Sequence, residues 1–240
     1  IAAGFGLPHS PWYAPRKYFD LYPVESIPLP EGAGGFNNRR LRRWRAAYYA
    51  CVSFVDAQIK IILDEMERLG LEDNTVIVFL SDHGFLLGEH GGIFDKKKLF
   101  EESARAPLII SAPQGPKGVF SSRIVELVDL YPSLIELCGL PKIEDLEGTS
   151  FVPLFANPER EWKKAAFVTT KASHRQRFHS ARTERYVYIE RTDGTEPELY
   201  DHLTDPQELV NVARDPQYSE VLAEMKKILS EGWRKALPPP

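Results

Sequence analysis

Residues Val76 to Leu80 are apolar without interruption and run straight into Ser81-Asp82-His83-Gly84. A carboxylate oxygen and a neutral imidazole nitrogen are both good donors to a divalent cation. Placed side by side at a strand end, they can face one crevice where a glycine lets the backbone turn. The same dipeptide also fits a surface turn in which Asp82 caps the next segment, so spacing alone leaves metal binding, catalysis and a plain turn open. Gly88-Glu89-His90-Gly91 then adds a second acid and a second imidazole. His90, between glycines, can approach a substrate closely, although taken alone it reads better as a solvated side chain on a loop. Lys96-Lys97-Lys98 is ordinarily a solvated face, yet one lysine turned inward beside an anion supplies a compact, hydrogen-bonding charge. His9 lies between Pro8 and Pro11, whose rigid backbone reduces the entropy lost in holding a side chain at a site. A lone histidine is nevertheless more often structural. His174, His179 and His202 have no spacing partner that would make a metal site, and they read as ordinary surface or subdomain residues.

These side chains need elements to hold them. Leu41, Trp44, Tyr48, Cys51, Val55, Ile59, Ile62, Met66 and Leu69 recur at spacings of three and four before Gly70, which predicts a long amphipathic helix over residues 39–69. Thr75 to Leu80 and Pro107 to Ser111 are apolar runs without polar alternation, as expected of parallel strands covered on both faces. Asp129 is placed to cap a helix that has Pro132 in its first turn and ends at Gly139. The fold class expected is therefore α/β, a mostly parallel sheet flanked by helices. Beyond about residue 160 the pattern changes: short strands at 166–170, 178–182 and 186–191, a turn at Asp193-Gly194 and a closing helix over 218–236 predict a smaller antiparallel α+β subdomain. The division expected is 1–160 and 161–240. Residues 1–36 are rich in Pro, Gly and aromatics and read as a long surface connection. Ile1 to Gly6 reads as the tail of a strand already under way, so further sequence is expected before it.

Composition narrows the classes. With 34 acidic and 30 basic residues the net charge is -4, which argues against a general nucleic-acid binder that relies on a positive field. Any anion site must be local. The run Arg39-Arg40-Leu41-Arg42-Arg43-Trp44-Arg45 reads as a solvated helix face rather than a polyanion site. Cys51 and Cys138 sit in apolar helical patterns and are expected to be buried thiols, not a disulfide. No unbroken apolar run approaches the ~18 residues of a membrane span, and no signal segment is visible.

Taken in order, the segments "GFGLPHSPW", "YYACVSFVDAQIKIILDEME", "NTVIVFLSDHGFLLGEHG", "KKKLFEESARAPLIISAP", "VELVDLYPSLIELCGL" and "ELYDHLTDPQELVNVA" closely resemble the sulfatase family of the alkaline-phosphatase superfamily, most nearly its iduronate-2-sulfatase-like branch. The resemblance covers nearly the whole chain. It implies a sulfuric ester hydrolase acting on a sulfated carbohydrate, a glycosaminoglycan among them, with a bound calcium ion (magnesium the alternative). Asp82 and His83 match two metal ligands. His9 matches the histidine that binds the sulfate or assists the leaving oxygen, and Lys96 the lysine that clamps the sulfate, with Lys97 and Lys98 as alternatives. His90 matches a pocket position without a firm role. Family habit implies export to the periplasm, the extracellular space or the lysosome. A phosphodiesterase or phosphonate monoester hydrolase of the same superfamily is the alternative enzyme, and a non-catalytic fragment the alternative outside enzymes.

One departure bears on the mechanism. The family's nucleophile is a formylglycine made from the first residue of a C/S-x-P-x-R motif, accompanied by two further aspartate ligands from the first strand. These 240 residues contain no such motif: Cys51 is followed by Val-Ser-Phe and Cys138 by Gly-Leu-Pro-Lys. The resemblance is therefore to the C-terminal part of a sulfatase, with the nucleophile expected from an N-terminal segment or a companion chain.

Overall fold

The computed structural model describes residues 1–34, 37–171 and 176–239; His174 and Pro240 lie outside them. The chain forms two compact units, Ile1–Thr75 with Phe85–Asp95, and Val76–Gly84 with Lys96–Pro240.

The first unit is built on one long helix. After the short α1 (Arg16–Phe19), α2 runs over Asn38–Arg68, as the apolar periodicity predicts. Asn37 starts it by accepting from the Arg40 N–H at 2.9 Å, and Gly70 ends it at φ 64°, a left-handed conformation that costs glycine little. Leu41, Ala46, Ala50 and Cys51 are buried, all in the first half of the helix. Trp12 from the N-terminal connection packs on Trp44 and Tyr48, both at 6.4 Å, and on Phe94 at 6.0 Å. Ile1 to Gly6 carries no regular structure, in contrast to the strand tail expected there. By length and composition α2 is apolar enough to cross a membrane, although no unbroken apolar run in it reaches that length. Asp56 and Lys60 interrupt the run and conceal a stretch that is apolar on average. The unit also holds α3 (Glu89–Gly92), a single turn containing His90 at φ 50°.

The second unit begins with β1 (Ile77–Leu80), followed by α4 (Glu101–Ala104) and β2 (Leu108–Ser111). The two strands pair antiparallel, Ile77 opposite Ser111 and Leu80 opposite Leu108, where uninterrupted apolar runs predict parallel pairing. An apolar run reports that both faces can be covered, whereas direction is fixed by the connection. Leu108 and Ile110 pack against Phe151, Leu154 and Trp162, while Ile109 between them is 63% exposed. α5 (Leu130–Leu137) follows, with Pro132 in its first turn, and then α6 (Pro153–Ala156). The Asp129 side chain does not cap α5, contrary to expectation; it caps the single turn before it instead. It is fully buried, accepts the N–H groups of Glu126 and Thr149, and pairs with Lys163. Cys138 is exposed at the helix end rather than buried.

The antiparallel subdomain forms as predicted, with one strand more. β3 (Ala166–Lys171), β4 (Arg177–Arg182), β5 (Tyr186–Arg191) and β6 (Glu198–Asp201) pair in that order, and α7 (Ser219–Glu231) stops at Gly232. Alternation in β5 serves both faces. Tyr188 joins Ala181, Leu199 and Met225 of α7 on one side, and Val187 and Ile189 join Tyr200 and Leu99 on the other.

Candidate functional site

β1 ends at Leu80, and Asp82 and His83 follow at its carboxyl end. His83 Nδ1 lies 2.6 Å from the Gly84 carbonyl, which can only accept, so Nδ1 carries the hydrogen. In the neutral ring Nε2 is then a bare lone pair, 3.3 Å from Asp82 Oδ2. A carboxylate oxygen and an imidazole nitrogen held this way fit a divalent cation. Asp82 is 85% exposed and His83 32%, so both are open to a ligand.

The turn behind the pair is set by backbone approach. The Gly84 N–H donates to the Ser103 carbonyl at 2.9 Å, and a Cβ on Gly84 would stand 2.1 Å from the Glu102 carbonyl oxygen. Only glycine fits there. Gly84→Ala is expected to lower stability by about 3 kcal/mol, the upper part of the range for overpacking; a denaturation midpoint equal to wild type would show that the approach is looser.

Lys96 follows in the same unit and is half-buried, whereas Lys97 and Lys98 are exposed. The Lys98 ammonium lies over the Phe178 ring at 5.8 Å. His9 and His90 belong to the first unit. His9 is exposed, and its Nδ1 donates to the Ser10 carbonyl at 2.6 Å, which makes Nε2 the acceptor of the neutral ring. His90 is half-buried. Its neighbour Glu89 is a structural group: Arg45, itself 8% exposed, donates to Glu89 Oε1 at 3.0 Å and to the Leu87 carbonyl at 2.9 Å. The arginine run is thus not wholly a solvated face. Burial pushes the Cys51 thiol up, partly offset by its contact with the Tyr13 carbonyl, as expected of an inert cysteine rather than a nucleophile.

Sequence reasoning missed a second cluster. Glu101, His202 and Glu208 bring three potential ligand atoms within 4.8 Å of one another. Arg182 donates to His202 Nδ1 at 2.9 Å and to Glu101 Oε2 at 3.2 Å. A guanidinium among them makes this an ion-pair network rather than a cation site. His202 is therefore no ordinary surface residue, and its closeness to the Asp201 and Asp205 turn was the available signal.

The family model described as "Sulfatase" matches residues 2–140, and "N-sulphoglucosamine sulphohydrolase, C-terminal" matches residues 88–235. The chain belongs to the sulfatase family. A sulfatase from Formosa agariphila is 34% identical over 95% of this chain and 49% of its own length. A solved sulfatase-family structure in complex with its substrate D-glucosamine-2-N,6-O-disulfate is 34% identical, with a TM-score of 0.75, over 81% of this chain and 41% of that one. The phosphonate monoester hydrolase of Agrobacterium radiobacter is 30% identical, with a TM-score of 0.73, over 85% of this chain and 44% of that one. The chain thus spans about half or less of the length of these relatives. Their fold supports the α/β class, and use of a metal and a formylglycine is general to sulfatases.

Proposed function

We propose that this chain is the C-terminal share of a sulfatase that removes sulfate from a sulfated carbohydrate. On this reading residues 1–160 carry the catalytic share and residues 161–240 support it. The observation that carries the reading is the pairing of a bare His83 Nε2 with the Asp82 carboxylate at 3.3 Å, at a strand end inside the matched family segment.

As the S–O bond of a sulfate ester breaks, negative charge grows on the leaving oxygen, and positive groups aimed at that charge lower the barrier. Asp82 and His83 would hold a calcium ion, which supplies Lewis-acid polarisation and neutralises a sulfate oxygen when bound. The Lys96 ammonium clamps the anion by charge and hydrogen bonding. His9 keeps Nδ1–H on the Ser10 carbonyl, so Nε2 is the atom that carries the proton to the departing alcohol. His90 is carried over from the family resemblance as a pocket position without a firm role. The nucleophile, a formylglycine, comes from an N-terminal segment or companion chain outside these residues. Exposed apolar side chains on α2 (Ile61, Ile62, Leu63, Leu69) and on the β1–β2 pair (Phe79, Leu80, Ile109) support such a covering partner.

The test compares the complete protein on an aryl sulfate and an aryl phosphonate monoester. The expected result is a kcat/KM at least tenfold higher for the sulfate, abolished by chelation and restored by Ca2+. Faster turnover of the phosphonate would instead favour the second reading, which the likeness to the Agrobacterium radiobacter enzyme supports.

A further inference from the structure

The segment following Lys96 is gripped from two sides within the second unit. On one side the Gly84 N–H bonds the Ser103 carbonyl at 2.9 Å, so α4 backs directly onto the turn after Asp82 and His83. On the other side the segment is fastened to the antiparallel subdomain. Leu99 is 6% exposed and packs with Val187, Ile189 and Tyr200, and the Phe100 ring meets Tyr200 edge-on at 5.9 Å.

The fastening closes through a ring of four residues, Glu208, His202, Arg182 and Glu101. Glu208 Oε2 accepts the Glu101 backbone N–H at 2.8 Å, and Glu208 Oε1 accepts from His202 Nε2 at 2.7 Å. His202 Nδ1 accepts from Arg182, whose Nε returns to the Glu101 carboxylate. The donor pattern defines the histidine: with Nδ1 accepting, Nε2 must carry the hydrogen given to Glu208. Glu208 is 1% exposed and sits at φ 54°, a left-handed conformation that disfavours a side chain. Burial raises its pKa, with the bonds from His202 and Glu101 opposing the rise. A strained, buried acid is an expensive way to fill space, and a glycine or asparagine would suit the backbone better. Its two bonds explain its presence, because they fix the first N–H of α4 and a histidine of the β6 turn together.

We propose that Glu208, held by His202, is a positioning residue: it fixes the Lys96–Arg105 segment against the subdomain and thereby sets the place of both Lys96 and the turn behind Asp82 and His83. It touches no substrate. Its effect passes from Glu208 to the Glu101 N–H, through one turn of helix to the Ser103 carbonyl, and on to Gly84. The inference rests on the functional reading above for what Lys96 binds, and on the bonding geometry alone for what Glu208 holds.

The test uses the complete protein and Glu208→Gln, which keeps the shape but sets an amide N–H against the His202 Nε2–H or against the Glu101 N–H. Three readouts are taken well below the melting temperature: kinetics on an aryl sulfate, affinity for inorganic sulfate, and hydrogen exchange of the amides from Leu99 to Ala104. A folded variant with kcat/KM at least tenfold lower, weaker sulfate binding and faster exchange in that segment supports the proposal. A folded variant with wild-type values of all three overturns it, because a merely structural role would lower melting temperature and leave the folded enzyme unchanged. If Glu208→Gln does not fold, His202→Ala and His202→Gln replace it. Gln retains a donor near the position of Nε2, so it should restore much of what Ala loses, and equal effects of the two would count against the proposal. Failure of the wild type to hydrolyse the sulfate ester would sink the functional reading, while faster Leu99–Ala104 exchange in the variant would still support positioning, and unchanged exchange would overturn it.

Discussion

At the proposed metal site, Asp82→Asn is expected to weaken Ca2+ binding to the complete protein by about 100-fold and to cut turnover by about 10²–10³-fold, the loss typical when one electrostatic stabiliser is removed. The substitution keeps the shape of the side chain and one oxygen. It removes the charge, and it can turn an amide N–H toward the bare Nε2 of His83, which lies 3.3 Å from Asp82 Oδ2. The metal-free variant should therefore be as stable as wild type or slightly more so, whereas the stabilisation by Ca2+ that the proposed site predicts for wild type should be lost. Calorimetric titration with Ca2+ and paired melting curves measure both effects. Wild-type Ca2+ affinity in Asp82→Asn would remove Asp82 from the ligand set and the mechanism with it.

The largest expected loss of stability lies elsewhere, at Lys163. Its ammonium is 3% exposed and meets both Asp129 oxygens, at 2.7 and 2.8 Å, and Glu126 Oε2 at 2.8 Å. Those acids in turn fix backbone: Asp129 accepts from Glu126 and Thr149, and Glu126 accepts the Phe167 N–H at the start of β3. Lys163→Met leaves two acids in a buried place without their cation, which costs about 3–5 kcal/mol. For a chain of this size that lowers the melting temperature by roughly 10 °C. Replacing Lys163, Asp129 and Glu126 together with apolar residues should recover part of the loss, because removing all the charges avoids the stranded ones. A loss below about 1 kcal/mol for Lys163→Met would mean that water reaches the cluster.

What could be read from sequence followed the range of each interaction. The periodicity of Leu41 to Leu69 is local, so α2 was legible nearly to its ends. Asp82 and His83 were legible as candidates because an apolar run stops immediately before them. The direction of β1 against β2 was not, since pairing depends on the path of the chain between the strands. β6 escaped because Leu199, Tyr200 and Asp201 are buried in succession, which erases the alternation that marks a half-covered strand. Glu89 looked like chemistry because its partner Arg45 lies 44 positions earlier, and the link between Glu208 and Glu101 spans 107 positions. No local pattern encodes bonds of that reach. The resemblance to sulfatases drew attention to the "ELYDHLTDPQELVNVA" segment, and only the structure gave Glu208 within it a physical task.

The bonds from Arg45 to the Leu87 carbonyl and to Glu89 make the loop from Phe85 to Asp95 a passenger of α2. Gly88 adds to the dependence, for a Cβ there would stand 2.1 Å from Leu41 Cδ1. Anyone transplanting this loop between sulfatases to alter their behaviour must therefore carry across an arginine and a leucine from a helix some 45 positions upstream, or the graft will arrive without its moorings.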